Sequence, residues 1–230
     1  MLCLPHANLR RQDCLHLHTM IKKQTSPHSP DLPAKERILR TAQHLFYQEG
    51  VRATGIDRVI AEARVTKVTF YRHFPSKNDL IEAFLERRHQ LWIEWFRNTI
   101  AKSREALTPD ERRHTPLAPV LFAAKELFKA STFRGCAFAN TVAELGNSVP
   151  SILGIASRHK KEVSELIATL LSSHADAHDV AWAATLALDG AIVNAQRGGQ
   201  SVAASLDSLK VLLEALTEAH PAMSQKRRRN

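Results

Sequence analysis

From Pro33 onward the apolar positions of this chain recur with helical spacing. Ile38, Leu39, Ala42, Leu45 and Phe46 lie three and four residues apart, the stripe of an amphipathic helix, and Gly50 marks its end. Val59, Ile60 and Ala63 predict a second, short helix starting near Ile56. A third begins at about Thr66, a residue type that caps helix N-termini well, and ends before Pro75. Ser76 opens a long fourth helix that runs through Leu80, Ile81, Phe84, Leu85, Leu91, Trp92 and Trp95 to about Lys102. Residues 105–118, with Pro109 and Pro116, read as a polar connection. Five further helical segments follow near 117–131, 137–146, 150–173, 177–197 and 201–219. Gly135, Gly146 with Pro150, a polar patch at 174–178 and Gly198-Gly199 separate them. No stretch alternates with the period of a strand and no internal repeat is visible, so the fold class is all-α. The expected organisation is a poorly ordered extension over 1–32, a three-helix helix-turn-helix domain over 33–80, a larger helical domain over 81–220 and a basic tail over 221–230.

Composition narrows the partners. The 230 residues carry a formal charge of +9, which favours polyanions, either nucleic acid or an acidic membrane surface. No apolar run approaches the roughly 20 residues that span a bilayer, so no membrane association is expected. Three cysteines, Cys3, Cys14 and Cys136, suggest no disulfide framework and suit a reducing cytoplasm. Cys14-Leu15-His16-Leu17-His18, with Cys3 upstream, has zinc-type ligands at a spacing that matches no zinc framework. Met20 is a possible alternative start, since nothing before it looks structural. The tail Lys226-Arg227-Arg228-Arg229 reads as a solvated terminus with phosphate contact as the alternative.

Three short helices with a tight turn between the second and third fit a module whose last helix enters the major groove of DNA. The segment from Gly50 to Leu80 is more specific than that generic arrangement. Its core is Thr69-Phe70-Tyr71-Arg72-His73-Phe74, followed by Ser76-Lys77. Over about residues 34–85 the chain closely resembles the DNA-binding domain of the TetR/AcrR family of repressors. Val65, Phe70 and Phe74 are expected to bury against Leu45, Phe46 and Val59, locking the short third helix. Thr66, Lys67, Val68 and Thr69 would then stand at its exposed N-terminal end. Lysine donates to guanine O6 or N7, and Val68 and the Thr69 methyl can meet a thymine methyl. Thr54, Tyr71, His73 and Lys77 suit phosphate contacts, which fix register without reading sequence. The resemblance implies the same division of labour. It also implies a body that dimerises and binds a small-molecule effector, giving a repressor released from its operator. Two positions depart from the family pattern. Arg64 stands at the turn where glycine is usual, and Val68 where glycine or alanine is common. A non-glycine residue with positive φ costs about 1 kcal/mol, so strain at that turn is expected.

In the second half, Arg134-Gly135-Cys136-Ala137-Phe138-Ala139-Asn140-Thr141-Val142-Ala143-Glu144 looks like a pattern found in one branch of these regulators. On a helix Asn140 and Glu144 share a face, with Cys136 one turn earlier. Such a stripe either lines a pocket or braces neighbouring helices. Trp92, Trp95, Phe96, Phe122 and Phe138, with Asn140 and Glu144, are the candidate lining of an effector pocket, because ligand sites are mostly apolar with a few polar groups. Core packing explains the same aromatics. His159 with Glu144 has metal-ligand chemistry, and Cys136 beside Arg134 could be an activated thiol. A solvated histidine and an inert thiol are the simpler readings. No cofactor or metal is expected. Small residues Ala181, Ala184, Leu188, Ala191, Ile192 and Ala195, followed by the stripe Leu206, Leu209, Leu213 and Leu216, suggest a two-fold helical interface. No phosphate loop, HExxH or nucleophile with base and orienter is present, which argues against an enzyme. The rival in another class is a helical interaction protein whose DNA-binding unit has decayed.

Overall fold

In a computed structural model of the chain, residues 32–146 and 148–220 are described. The expected extension over 1–32, its cysteine and histidine cluster and the basic tail lie outside them, Leu32 excepted. The described residues form α1 (Ala34–Glu49), α2 (Ile56–Glu62), α3 (Lys67–His73), α4 (Lys77–Glu105), α5 (Pro109–His114), α6 (Ala118–Phe128), α7 (Ala137–Leu145), α8 (Pro150–Ala168), α9 (Ala177–Ala195) and α10 (Gln200–Ala219). A 3-10 turn at Thr169–Leu171 follows α8. No strand occurs among them.

The short α5 is new relative to the expected polar connection. Its cause is local: Thr108 accepts from the Glu111 amide, and the Glu111 carboxylate accepts from the Thr108 amide, a reciprocal cap with Pro109 in the first turn. None of its residues is buried, so hydrophobic periodicity gave no signal for it.

The chain forms two compact units, and neither ends at residue 80. Among the described residues, the first takes 32–92 and 134–159, and the second takes 93–133 and 160–220. The first unit extends past 80 because its core does. Ile38, Leu45, Phe46, Val59, Phe70, Phe74, Leu80 and Phe84 are joined there by Phe138, Val149 and Ile152. Contiguous apolar area of this kind stabilises by roughly 25 cal/mol per Å² removed from water. Arg87 ties α4 to α1, its two terminal nitrogens meeting Glu36 at 2.7 and 2.8 Å. Burial raises the pKa of Glu36, but hydrogen bonds from Arg87 and Arg40 outweigh it and hold the carboxyl below its usual value.

In the second unit α6, α9 and α10 pack on one another. Ala181, Ala184, Leu188, Ala191, Ile192 and Ala195 of α9 are buried within the single chain, as are Leu209 and Leu213 of α10. This corrects the interface expected from those stripes: small residues let α9 approach its own neighbours. The uncovered apolar residues are different ones. Trp182, Leu186 and Val193 form a stripe along α9, and Val211 and Leu212 stand exposed on α10.

Candidate nucleic-acid interface

The geometry of the turn between α2 and α3 begins with Arg64. Its φ of 52° is the one positive value at a non-glycine residue among those described. The Val65 amide donates to the Ile60 carbonyl at 3.2 Å and the Arg64 amide to the Ala61 carbonyl at 3.1 Å, the paired bonds of a Schellman ending. Arg37 of α1 reaches over to the same turn. Its Nε donates to the Ala63 carbonyl at 3.1 Å and a terminal nitrogen to the Arg64 carbonyl at 3.3 Å. The turn is therefore not rebuilt to avoid the strain; a cross-helix arginine braces it. Arg64→Gly should raise stability by about 0.5–1 kcal/mol, because it removes the left-handed cost and leaves both braced carbonyls in place. Urea denaturation checks this, and an unchanged or lower midpoint would mean that the site carries no strain.

α3 starts on a real cap. The Thr66 hydroxyl accepts from the Thr69 amide at 3.1 Å and lies 2.9 Å from the Thr69 hydroxyl. Phe70 is fully buried and meets Phe74 and Tyr71 at ring-centroid distances of 6.3 and 5.2 Å. With that side anchored, Lys67 and Val68 face outward, Val68 being 79% exposed. Thr69 and His73 are half-buried and Tyr71 is exposed. Ser76 accepts from the Asp79 amide at 3.2 Å and so caps α4, as its sequence position predicts.

Thr54 needs correction as a phosphate contact. Its side chain is sealed, and its hydroxyl donates to the Gly50 carbonyl at 2.8 Å. A threonine hydroxyl satisfied by the carbonyl four residues back closes a turn instead of meeting solvent. Lys77 lies at this same turn, its Nζ 3.5 Å from the Arg52 carbonyl. Desolvation lowers its pKa, opposed by the charge of Glu144.

Sequence reasoning missed how the turn after α1 is held. The Glu144 carboxylate of α7 accepts from the Arg52 amide at 2.7 Å and the Val51 amide at 3.4 Å. Arg52 Nε donates back to the Glu144 carbonyl at 2.6 Å. Gly50 has φ +94°, and a Cβ there would sit 2.9 Å from Glu144 Oε1. Nearby, the Tyr47 hydroxyl donates to the Gly135 carbonyl at 3.0 Å and accepts from the Arg134 amide at 2.9 Å. The motif at 134–144 is thus bound to the end of α1 and the turn behind it.

The model of the family described as bacterial regulatory proteins, tetR family, matches residues 38–84. A solved TetR-family transcriptional regulator from Streptomyces coelicolor has the same fold, with a TM-score of 0.63 at 27% identity over 80% of this chain and 96% of that one. Over residues 38–84 the chain carries a domain that matches the tetR family. Among curated relatives, an HTH-type transcriptional regulator of Lactococcus lactis is 28% identical over 112 residues, 48% of this chain and 54% of that protein. The HTH-type transcriptional regulator LmrA of Bacillus subtilis is 35% identical over 77 residues, 33% of this chain and 38% of LmrA. The chain therefore spans about half or less of the length of these curated relatives. Both are described as HTH-type transcriptional regulators.

The candidates for an effector pocket fall in both units. Trp92, Phe138, Asn140 and Glu144 belong to the helix-turn-helix unit, and Trp95, Phe96 and Phe122 to the other. Of the two readings of the polar stripe, bracing is the one the contacts favour. Asn140 donates to the Arg134 carbonyl at 3.0 Å and Glu144 holds the turn after α1. Phe138 stacks on His159 at 3.8 Å, with Trp92 edge-on to the same imidazole at 5.0 Å. His159 Nδ1 is 3.2 Å from His89 Nδ1, so the two metal-ligand candidates, His159 and Glu144, are engaged in separate contacts. Cys136 caps α7 through its sulfur, which accepts from the Ala139 amide at 3.5 Å. A small cleft in the other unit, lined by Leu117, Leu121, Leu213 and Thr217 among others, includes none of the seven.

Proposed function

We propose that this protein is a homodimeric, cytoplasmic transcriptional repressor of the TetR family that binds operator DNA through α3 and leaves it on binding a small-molecule effector. The observation that carries the reading is the start of α3: a capped helix end, anchored by buried Phe70, with Lys67 and Val68 turned outward. A domain without that function has no need to fix an exposed Val68 on a rigid seven-residue helix. Lys67, Val68 and Thr69 then meet base edges, and Tyr71, His73 and Lys77 meet phosphates, with Thr66 engaged in the cap. The outward apolar stripes of α9 and α10 support pairing of two copies. α4 is one continuous helix of 29 residues with residues in both units, which suits it to carry an effector response to α3.

The test is a pair of variants on a selected operator. Lys67→Ala should cost about 1–3 kcal/mol on the specific site and relax preference at one base position. Lys77→Ala should weaken binding nearly uniformly across sequences and lower the salt slope by about one unit. Both should melt close to wild type, since neither side chain belongs to the core. If both bind as wild type does, α3 is not the reader. Salt-sensitive, sequence-blind binding of the wild type would favour a decayed module.

A further inference from the structure

The outward side of α3 carries one more residue, Arg72, to which neither the cap nor the anchor gives a task. Phe70 and Phe74 are the buried anchors, and Arg72 stands two residues from each. At 3.6 residues per turn it points about 160° away from either anchor, to the middle of the side turned outward. Val68, one turn earlier, points the same way to within about 40°. Both residues are exposed. A helical side chain leans toward the N-terminus over the turn before its own, so the stem of Arg72 runs back toward Val68.

The guanidinium of Arg72 is also uncommitted. In the same unit Arg37 holds the Ala63 and Arg64 carbonyls, and Arg52 the Glu144 carbonyl. Arg58 holds Glu49 and Glu62, and Arg87 holds Glu36. Arg72 has no hydrogen bond, ion pair or ring contact among the described residues. The side chain of Arg64 has none either, but it stands in the turn before α3 and not on the outward side of the helix. A cation in the last turn complements the helix dipole, a task that lysine performs as well. An arginine adds a planar fork of donors, which matches guanine O6 and N7 with two hydrogen bonds.

We propose that Arg72 is a specificity-determining residue of α3, its guanidinium taking O6 and N7 of one guanine in the major groove. The inference rests on the reading of α3 as the DNA-contacting helix. Five residues separate Lys67 from Arg72, a rise of about 7.5 Å against about 3.4 Å per base pair. The two side chains therefore read different base pairs.

The experiment selects duplexes from a random-sequence library with the full chain, then measures affinity for single-base changes of the selected duplex. Wild type should prefer guanine at one pair by about 5–150-fold. Replacing that guanine by 7-deazaguanine, which lacks N7, should also weaken binding. Arg72→Ala should lose both effects at that pair and keep the preference that Lys67→Ala removes. Arg72→Gln should turn the preference there from guanine to adenine, because a glutamine amide matches adenine N6 and N7. Both variants should melt close to wild type, since the side chain is exposed. Should Arg72→Ala fail to fold, Arg72→Gln decides, because a merely structural role does not exchange one base for another. A uniform loss over all duplexes, with a salt slope lower by about one unit, would make Arg72 a phosphate contact and overturn the proposal. Unchanged selection in both variants would overturn it too. If Lys67→Ala still relaxes selection in that case, the reading of α3 stands without Arg72; if none of the three variants alters selection, both fall.

Discussion

Leu186→Asp should leave the protein monomeric at micromolar concentration, at 25.7 kDa by sedimentation equilibrium, with its melting midpoint close to that of a wild-type monomer. Leu186 lies one turn from Trp182 on the outward stripe of α9 and is exposed in the single chain. In a two-fold contact each substitution counts twice, so an uncompensated charge placed there should raise the dimer dissociation constant by at least 100-fold, or roughly 3 kcal/mol. Leu209→Asp is the control. Leu209 is buried inside its own chain, so a charge there should unfold the α9–α10 pair instead of separating intact subunits. Wild-type dimer affinity in Leu186→Asp would place the interface elsewhere.

Glu144→Ala should destabilise the helix-turn-helix unit by about 1–3 kcal/mol, read from urea denaturation, because it leaves the Val51 and Arg52 amides without their acceptor. Glu144→Gln retains one acceptor oxygen and should lose less. Operator affinity should fall with the same ordering, since the turn that Glu144 holds also carries the Lys77 contact to the Arg52 carbonyl. Equal stability of all three proteins would mean that solvent replaces the carboxylate at no cost.

The helix-turn-helix was legible because its signals are local. Apolar spacing marked α1 to α4, Thr66 and Ser76 cap as their positions indicate, and Arg64 has the positive φ expected at that turn. The brace from Arg37 was not legible, because it joins residues 26 and 27 positions apart with no periodic signature. The Glu144 clamp spans 92 positions and was equally hidden; the Asn140 and Glu144 spacing showed a shared face but not what the face meets. Thr54 was misread because a threonine before a helix looks alike whether its hydroxyl meets solvent or the preceding carbonyl. The α9 stripe was misread because small residues permit close approach to a neighbour within the chain as readily as to a second copy. α5 was absent from the periodicity, but its Thr-Pro-Asp-Glu start held the signal.

The core shared by α1–α4 and residues 134–159 also has a bearing on how the chain is made. When residues up to 92 have left the ribosome, Phe84 and its neighbours still lack Phe138, Val149 and Ile152, which complete their packing. The second unit's residues 93–133 intervene before those arrive. At synthesis rates of about 5–20 residues per second, the nascent helix-turn-helix waits on the order of 3–12 seconds with part of its apolar surface uncovered. That interval is a window for chaperone capture or for premature pairing of neighbouring nascent chains, and it closes only when translation has passed the start of α8.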